Sequence, residues 1–309
     1  MSKFSVLILG SACATPTLNR NPTAQLININ HHYFLVDCGE GTQLQLRKYN
    51  INFNRIHHIF ISHLHGDHYL GLMGLLQTMH LLGREKELFV YGPEELKIIL
   101  DTHFKYSKSV LKYPLQFKAV DMEQSSTIFE NDTLTVNTVV LKHKIPCTGF
   151  VFKEKPKPRR INPKAIANYK VPKYAINKLK LGVDFESPEG EIIKNNLLTH
   201  DSLPSYSYAF CSDTAYFEEI LPEINNVSLL YHEATFLEKD KKLAKKTLHS
   251  TAKEAATIAK KAKANKLIIG HFSNRYTSLP DLLEEAKTVF ENSDLALEGK
   301  EFNIAESQQ

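Results

Sequence analysis

Cysteine is scarce in this 309-residue chain, and the four present (Cys13, Cys38, Cys147 and Cys211) show neither CxxC nor ladder spacing. That pattern argues against a disulfide scaffold and a thiolate zinc site, and it reads as buried free thiols. Long hydrophobic runs are missing as well. The longest strongly apolar stretches, such as 69–82, broken by Gly71, Gly74, Gln77 and His80, fall well short of the roughly 18 uninterrupted apolar residues of a membrane span. The first ten residues carry one charge, a strand-like run and no cleavage-type tail. No secretory signal is read there, and a cytoplasmic protein with no membrane partner is expected. What is present, 42% hydrophobic and 23% charged residues, suffices for one large or two small apolar cores and excludes whole-chain disorder or coiled coil.

The net charge of +4 is unevenly spread. Between Lys153 and Lys180 ten Lys or Arg face one acid, Glu154, a local balance of +9 that leaves the remainder at −5. A mildly acidic body with one basic appendage points to a polyanionic partner. Pro156, Pro158, Pro163 and Pro172 interrupt that segment, which is predicted to be an extended arm without long regular elements.

Short runs rich in branched and aromatic residues predict strands at 4–9, 25–30, 33–36, 56–61, 88–91, 207–211, 228–231 and 266–269, with a last strand-like run at 296–304. Helices are expected at 69–82, from Pro93 to about Phe104, at 250–264 and at 280–292; Gly41 to Tyr49 supports a short one at best. Thr251 with Glu254 three residues on is a capping-box signal. The stretch 115–140 reads as antiparallel strands. Mixed strands and helices in two strand-rich halves fit a layered α/β architecture.

The strongest signal is Ser62-His63-Leu64-His65-Gly66-Asp67-His68, where a strand ends and a helix begins. In extended backbone His63 and His65 project the same way and can close on one ion. Asp67 and His68 turn into the helix and can face a second. Imidazole and carboxylate without thiolate favour Zn2+, with Mn2+ or iron as alternatives. His143, Asp213 and His271 each follow a predicted strand, the position from which separate strands converge on one edge. They are the further candidate ligands.

The run His63 to His68 resembles the signature of the metallo-β-lactamase superfamily. The stretches 36–43, 62–71, Tyr231-His232-Glu233-Ala234-Thr235-Phe236, His249-Ser250-Thr251-Ala252 and 270–276 resemble the ribonuclease Z family of tRNA 3′-processing endonucleases, in that family's order, from about residue 5 to about residue 280. The resemblance implies an α/β fold, an αββα four-layer sandwich spanning 1–309, with a protruding basic arm inserted at 153–200. It implies two Zn2+ per subunit, one held by His63, His65 and His143 and the other by Asp67, His68 and His271, with Asp213 bridging and Asp37 fixing the ligand loop. It also implies attack of a metal-bridging hydroxide on a phosphodiester of precursor tRNA, leaving a 3′-hydroxyl on the tRNA and a 5′-phosphate on the trailer. Asp67 would accept the proton of the attacking water, and His249, oriented by Glu233, would protonate the departing ribose oxygen. Arg275, Tyr276 and the arm residues Lys157, Arg159, Arg160, Lys164, Lys170 and Lys173 would meet the RNA, in a homodimer; DNA is not an expected partner. Two departures stand out: Leu18, where the family commonly has lysine in a loop that meets the tRNA end, and 182–188, a poor match to the family's Gly-Pro arm tip.

The residues alone leave two other classes open. The same metals would serve a hydrolase of thioesters, lactones or small phosphodiesters, which needs no +9 arm. Structural metals in a non-enzymatic RNA-binding module are the other.

Overall fold

The computed structural model describes residues 3–305. Phe4–Gly10, Ala24–Ile29, His32–Val36, Ile56–Phe60, Leu88–Gly92, Leu115–Ala119 and Glu301–Asn303 form one seven-stranded sheet. Thr127–Glu130, Leu134–Leu141, Cys147–Glu154, Ser207–Cys211, Leu229–Glu233, Leu267–Gly270 and Ser293–Leu295 form the other.

Side chains alternate across a strand, so each sheet has two faces to cover. From the first sheet, Phe34, His58 and Phe60 meet the second through rings: Phe34 lies 5.7 Å from Phe152, Phe60 lies 5.4 Å from Phe150, and His58 lies 4.7 Å from Phe129. Burial lowers the His58 imidazole to about 4, so it fills this layer as a neutral ring. On the opposite face Leu35, Ile59 and Val90 pack under Leu72, Leu75, Leu76 and Leu96 of helices Gly71–Leu81 and Glu94–Ser107. The outer face of the second sheet, including Ala209, Leu230 and Ile269, is covered by Ala255, Ala256 and Ile258 of helix Ala252–Lys261. The layers are helix, sheet, sheet, helix, as expected. Among the described residues no helix is long and apolar enough to cross a membrane.

Helix Ala252–Lys261 begins at the predicted capping box: Thr251 accepts from the Glu254 amide while the Glu254 side chain accepts from the Thr251 amide. Leu115–Ala119 departs from expectation. It pairs parallel with Leu88–Gly92, Val90 opposite Phe117, and so belongs to the first sheet instead of an antiparallel run with 127–141. The helix Glu94–Ser107 makes the crossover that parallel pairing requires. The expected helix at 280–292 ends at Lys287, because Ser293–Leu295 leaves to join the second sheet.

The chain divides into two compact units, one within Met1–Phe129, Val136–Phe152 and Ser207–Gln309, the other Glu130–Thr135 with Lys153–Tyr206. The second unit corrects the picture of an extended arm. Its prolines start short helices instead of abolishing them, as at Pro163–Asn168, capped by the Asn162 side chain. Ala165, Val171, Ala175, Leu179, Phe185, Ile193 and Leu198 form a core of its own. Spaced apolar residues between the lysines supply what a solvated linker would lack.

A close approach ties the first unit's helix layer to its ligand loop. The Gly71 amide donates to Cys38 O at 2.9 Å and the Cys38 amide to His68 O at 2.7 Å. A Cβ at Gly71 would lie 2.1 Å from Gly39 O. Gly71→Ala is expected to cost about 1–3 kcal/mol in urea unfolding; an unchanged midpoint would show that the loop yields.

Candidate metal centre

Parallel strands release their chains at one edge, and that edge collects the polar residues of this unit. Ser207–Cys211, Leu229–Glu233 and Leu267–Gly270 run parallel, with Cys211 opposite His232 and Glu233 opposite Gly270. Asp213, Glu233 and His271 therefore emerge together. In the first sheet His32–Val36 and Ile56–Phe60 are also parallel, Val36 opposite Phe60, which brings Asp37 alongside Ser62 and His63. Asp37 and His271 have left-handed backbone, φ 54° and 60°. For residues with a Cβ this conformation is held against about 1–3 kcal/mol of strain, and it turns both side chains sharply at the strand ends.

Two groups of donor atoms result. His65 Nδ1 lies 3.1 Å from both His63 Nε2 and His143 Nε2. Asp213 Oδ2 is 3.7 Å from each of those two Nε2 atoms. In the other group His271 Nε2 is 3.3 Å from Asp67 Oδ2, and His68 Nε2 is 3.5 Å from the same oxygen. Asp213 Oδ1 reaches both, at 3.4 Å from His68 and 3.2 Å from His271. Ligands around a tetrahedral zinc at about 2.0–2.1 Å stand about 3.3 Å apart. His68 Nε2 and Asp213 Oδ1 are buried without a hydrogen-bond partner among the described residues, and buried polar atoms are seldom left so. The residues fit two divalent cations sharing Asp213, with nitrogen and oxygen donors only.

The far side of four of the five rings is fixed by the protein. His68 Nδ1 is 2.7 Å from Asp37 Oδ2, His143 Nδ1 is 3.0 Å from Leu248 O, and His63 Nδ1 is 3.0 Å from Ser62 Oγ. Asp37, fully buried, also accepts from the Ser62 amide and hydroxyl at 2.8 and 2.9 Å. The Thr235 hydroxyl lies 2.8 Å from Glu233 Oε2 and 2.9 Å from His271 Nδ1. Having one proton to give to the carboxylate, it accepts from His271 Nδ1, which leaves the His271 Nε2 lone pair for the centre. Burial opposes ionisation of Asp67 and Asp213, yet His68 and His271, whose own pKa values these carboxylates raise, hold both carboxyls well below the usual range when protonated.

Beside the donors sits a second pair. Glu233 Oε1 is 2.8 Å from His249 Nδ1 and accepts from the Thr214 amide at 3.1 Å, while Oε2 accepts from the Thr235 amide at 2.9 Å. Burial disfavours the His249 charge, but the Glu233 carboxylate raises its pKa above the ordinary imidazole value. His249 also comes within 4.8 Å of Asp213 and His271 through its ligand atoms. A cleft of about 340 Å3 opens over this ensemble, lined by His65, Asp67, Asp213, His249, His271 and the loop Cys13–Pro16. The Ala14 amide donates to Asp67 Oδ2 at 2.7 Å.

The other expected site residues are placed differently. Tyr276 is buried, its hydroxyl donating to Asp240 Oδ2 at 2.5 Å and accepting from the Leu237 amide, so it holds a loop instead of facing a substrate. Arg275 is exposed, its guanidinium 5.4 Å from the Phe236 ring. In the second unit Lys157 pairs with Glu154 at 2.7 Å and Arg159 with Asp201 at 2.8 Å, and Arg160 donates to Asp201 O. These three brace their own unit; Lys164, Lys170 and Lys173 are exposed. Thr235, Ser62 and Leu248 O escaped sequence reasoning because hydroxyl and carbonyl partners carry no spacing signal.

A ribonuclease Z from Bacteroides fragilis is 46% identical over 298 residues, covering 96% of this chain and 98% of the relative. The chain belongs to the ribonuclease Z family. The short form of human tRNase Z matches with a TM-score of 0.70 at 25% identity, covering 97% of this chain and 99% of that one. A metallo-β-lactamase-fold protein from Bacillus subtilis matches in fold at 19% identity with a TM-score of 0.68, covering 97% and 99%. The family described as anti-Pycsar protein Apyc1 matches residues 4–156. The ribonuclease Z family thus places this chain among hydrolases of the metallo-β-lactamase fold.

In this ribonuclease Z family member the Asp37–His68 contact supports the donors without being one. Asp37→Asn is expected to weaken divalent-metal affinity about 10- to 100-fold in a chelator competition titration; unchanged affinity would remove Asp37 from the account of the site.

Proposed function

We propose that the protein is a zinc-dependent endoribonuclease that cuts precursor tRNA at its 3′ end, leaving a 3′-hydroxyl on the tRNA and a 5′-phosphate on the trailer. The observation that carries this reading is a shared carboxylate, Asp213, between two donor groups, with the Glu233–His249 pair at 2.8 Å beside them. His63, His65 and His143 would hold one ion and Asp67, His68 and His271 the other. Two such ions supply a water acidified toward neutrality and a charge clamp on the phosphodiester oxygens.

The chain's own residues do the rest. The Asp67 carboxylate, fixed by the Ala14 amide and kept ionised, is the acceptor for the proton of the attacking water. Displacement breaks the bond between phosphorus and the 3′-oxygen of the tRNA, and that oxygen needs a proton as it leaves. Glu233 occupies His249 Nδ1, so Nε2 is the atom that gives it. The buried Glu233 carboxylate favours the imidazolium before transfer and sets the ring's orientation. In the second unit, exposed Lys164, Lys170 and Lys173 suit phosphate contacts by charge, without sequence readout.

A 3′-extended tRNA transcript incubated with the protein and Zn2+ or Mn2+ is expected to show one discrete cut near the acceptor stem on an end-labelled gel. His249→Ala is expected to lower kcat on that RNA about 100- to 10,000-fold. On bis(p-nitrophenyl) phosphate, whose leaving group departs without protonation, the loss is expected to be below about 10-fold. Equal losses on both substrates would contradict the donor role, and the absence of any RNA cut would contradict the reading as a whole.

A further inference from the structure

The 153–180 segment is not the chain's only basic run. Between Lys239 and Lys263 nine lysines face two acids, Asp240 and Glu254. This run belongs to the same unit as the metal centre and includes His249. Its helices, Lys241–Thr247 and Ala252–Lys261, border a groove of about 640 Å3. Four lysines line it: Lys142, Lys241, Lys245 and Lys253.

Lys241 pairs with Glu238 at 2.9 Å and Glu254 at 3.2 Å, two carboxylates that also line the groove and leave it four lysines against two acids. Lys142, Lys245 and Lys253 are exposed, and none forms an ion pair within 4 Å among the described residues, although Lys253 stands in the field of Glu238 and Glu285. The Lys142 ammonium stands 5.7 Å from the Phe217 ring. Unpaired cations in a concave wall repel one another and favour an anion between them. His249 lines both this groove and the cleft over the metal centre, so the two adjoin at one side chain.

We infer that this groove binds the RNA backbone on the 5′ side of the cut, the last phosphates of the mature acceptor strand. The inference rests on the proposed function and follows from bond order. His249 gives its proton to the 3′-oxygen, and that oxygen belongs to the nucleotide on the 5′ side. The ribose bearing it sits at His249, and the strand running back from it passes into the space beyond that ring. Lys142, Lys245 and Lys253 stand there. The trailer, which keeps the phosphate, leaves through the cleft lined by Cys13–Pro16. The groove is therefore a product-side site, holding the tRNA body while the trailer departs.

The test uses the full-length protein with Lys245→Ala and Lys253→Ala combined. Both positions are exposed and helical, where alanine is well tolerated, and an unchanged urea midpoint checks folding. Binding is measured at several salt concentrations to two probes, mature tRNA transcript and a free trailer oligonucleotide with a 5′-phosphate. Affinity for mature tRNA is expected to fall about 5- to 30-fold, with the slope of log K against log salt smaller by about 1–2. Trailer affinity is expected to stay within about 2-fold, and KM for precursor tRNA to rise with kcat retained. A control pair, Lys260→Ala with Lys287→Ala, removes the same charge from exposed positions outside the groove and is expected to leave tRNA binding near wild type. Wild-type-like tRNA binding by the groove variant, equal losses in the control, or a loss confined to the trailer each overturns the inference. Failure of the wild type to cut precursor tRNA instead overturns the function beneath it, a result read on a separate gel.

Discussion

Mutual repulsion and desolvation dominate the centre of this molecule: five imidazoles and the carboxylates of Asp67 and Asp213 share a small, largely buried space. Hydrogen bonding alone does not satisfy such a set. Distances of 3.1–3.7 Å between donor atoms are long for charge-assisted hydrogen bonds and suit atoms facing a common cation. Divalent ions would convert that liability into binding energy. Much of the surrounding structure then reads as a means of holding lone pairs inward: Asp37 on His68, Leu248 O on His143, Thr235 on His271.

The sandwich makes the convergence possible. Parallel pairing in both sheets delivers chain ends to common edges, so residues as distant in sequence as Asp37 and Ser62, or Glu233 and His271, become neighbours. Left-handed backbone at Asp37 and His271 completes the turn inward. Glu233 stands at the same edge, and His249, from the turn between helices Lys241–Thr247 and Ala252–Lys261, meets it there at 2.8 Å.

Much of this was readable in the sequence. His63, His65, Asp67 and His68 announced themselves by dense spacing at a strand end, and His143, Asp213 and His271 by repeating that context. Resemblance to the ribonuclease Z family supplied Asp37, Glu233 and His249, whose roles depend on pairing that spacing does not encode. Leu115–Ala119 was misjudged because periodicity reports which faces are buried and is silent on strand direction. The prolines and lysines of 153–180 predict an extended arm, whereas its scattered apolar residues close a small core, because their spacing carries no single period to read. Tyr276 follows a ligand in sequence but points inward to Asp240 and Leu237. The lysines of 239–263 were visible as composition, but only the fold shows Lys142 joining Lys245 and Lys253 beside His249.

The central claim is that two ions share the Asp213 carboxylate. X-ray absorption at the zinc edge, on protein whose metal content is measured in parallel, tests it directly. The account predicts two ions per chain, nitrogen and oxygen donors only, and a metal–metal scattering path. One ion per chain, no metal neighbour, or a sulfur donor such as the nearby Cys147 would contradict it.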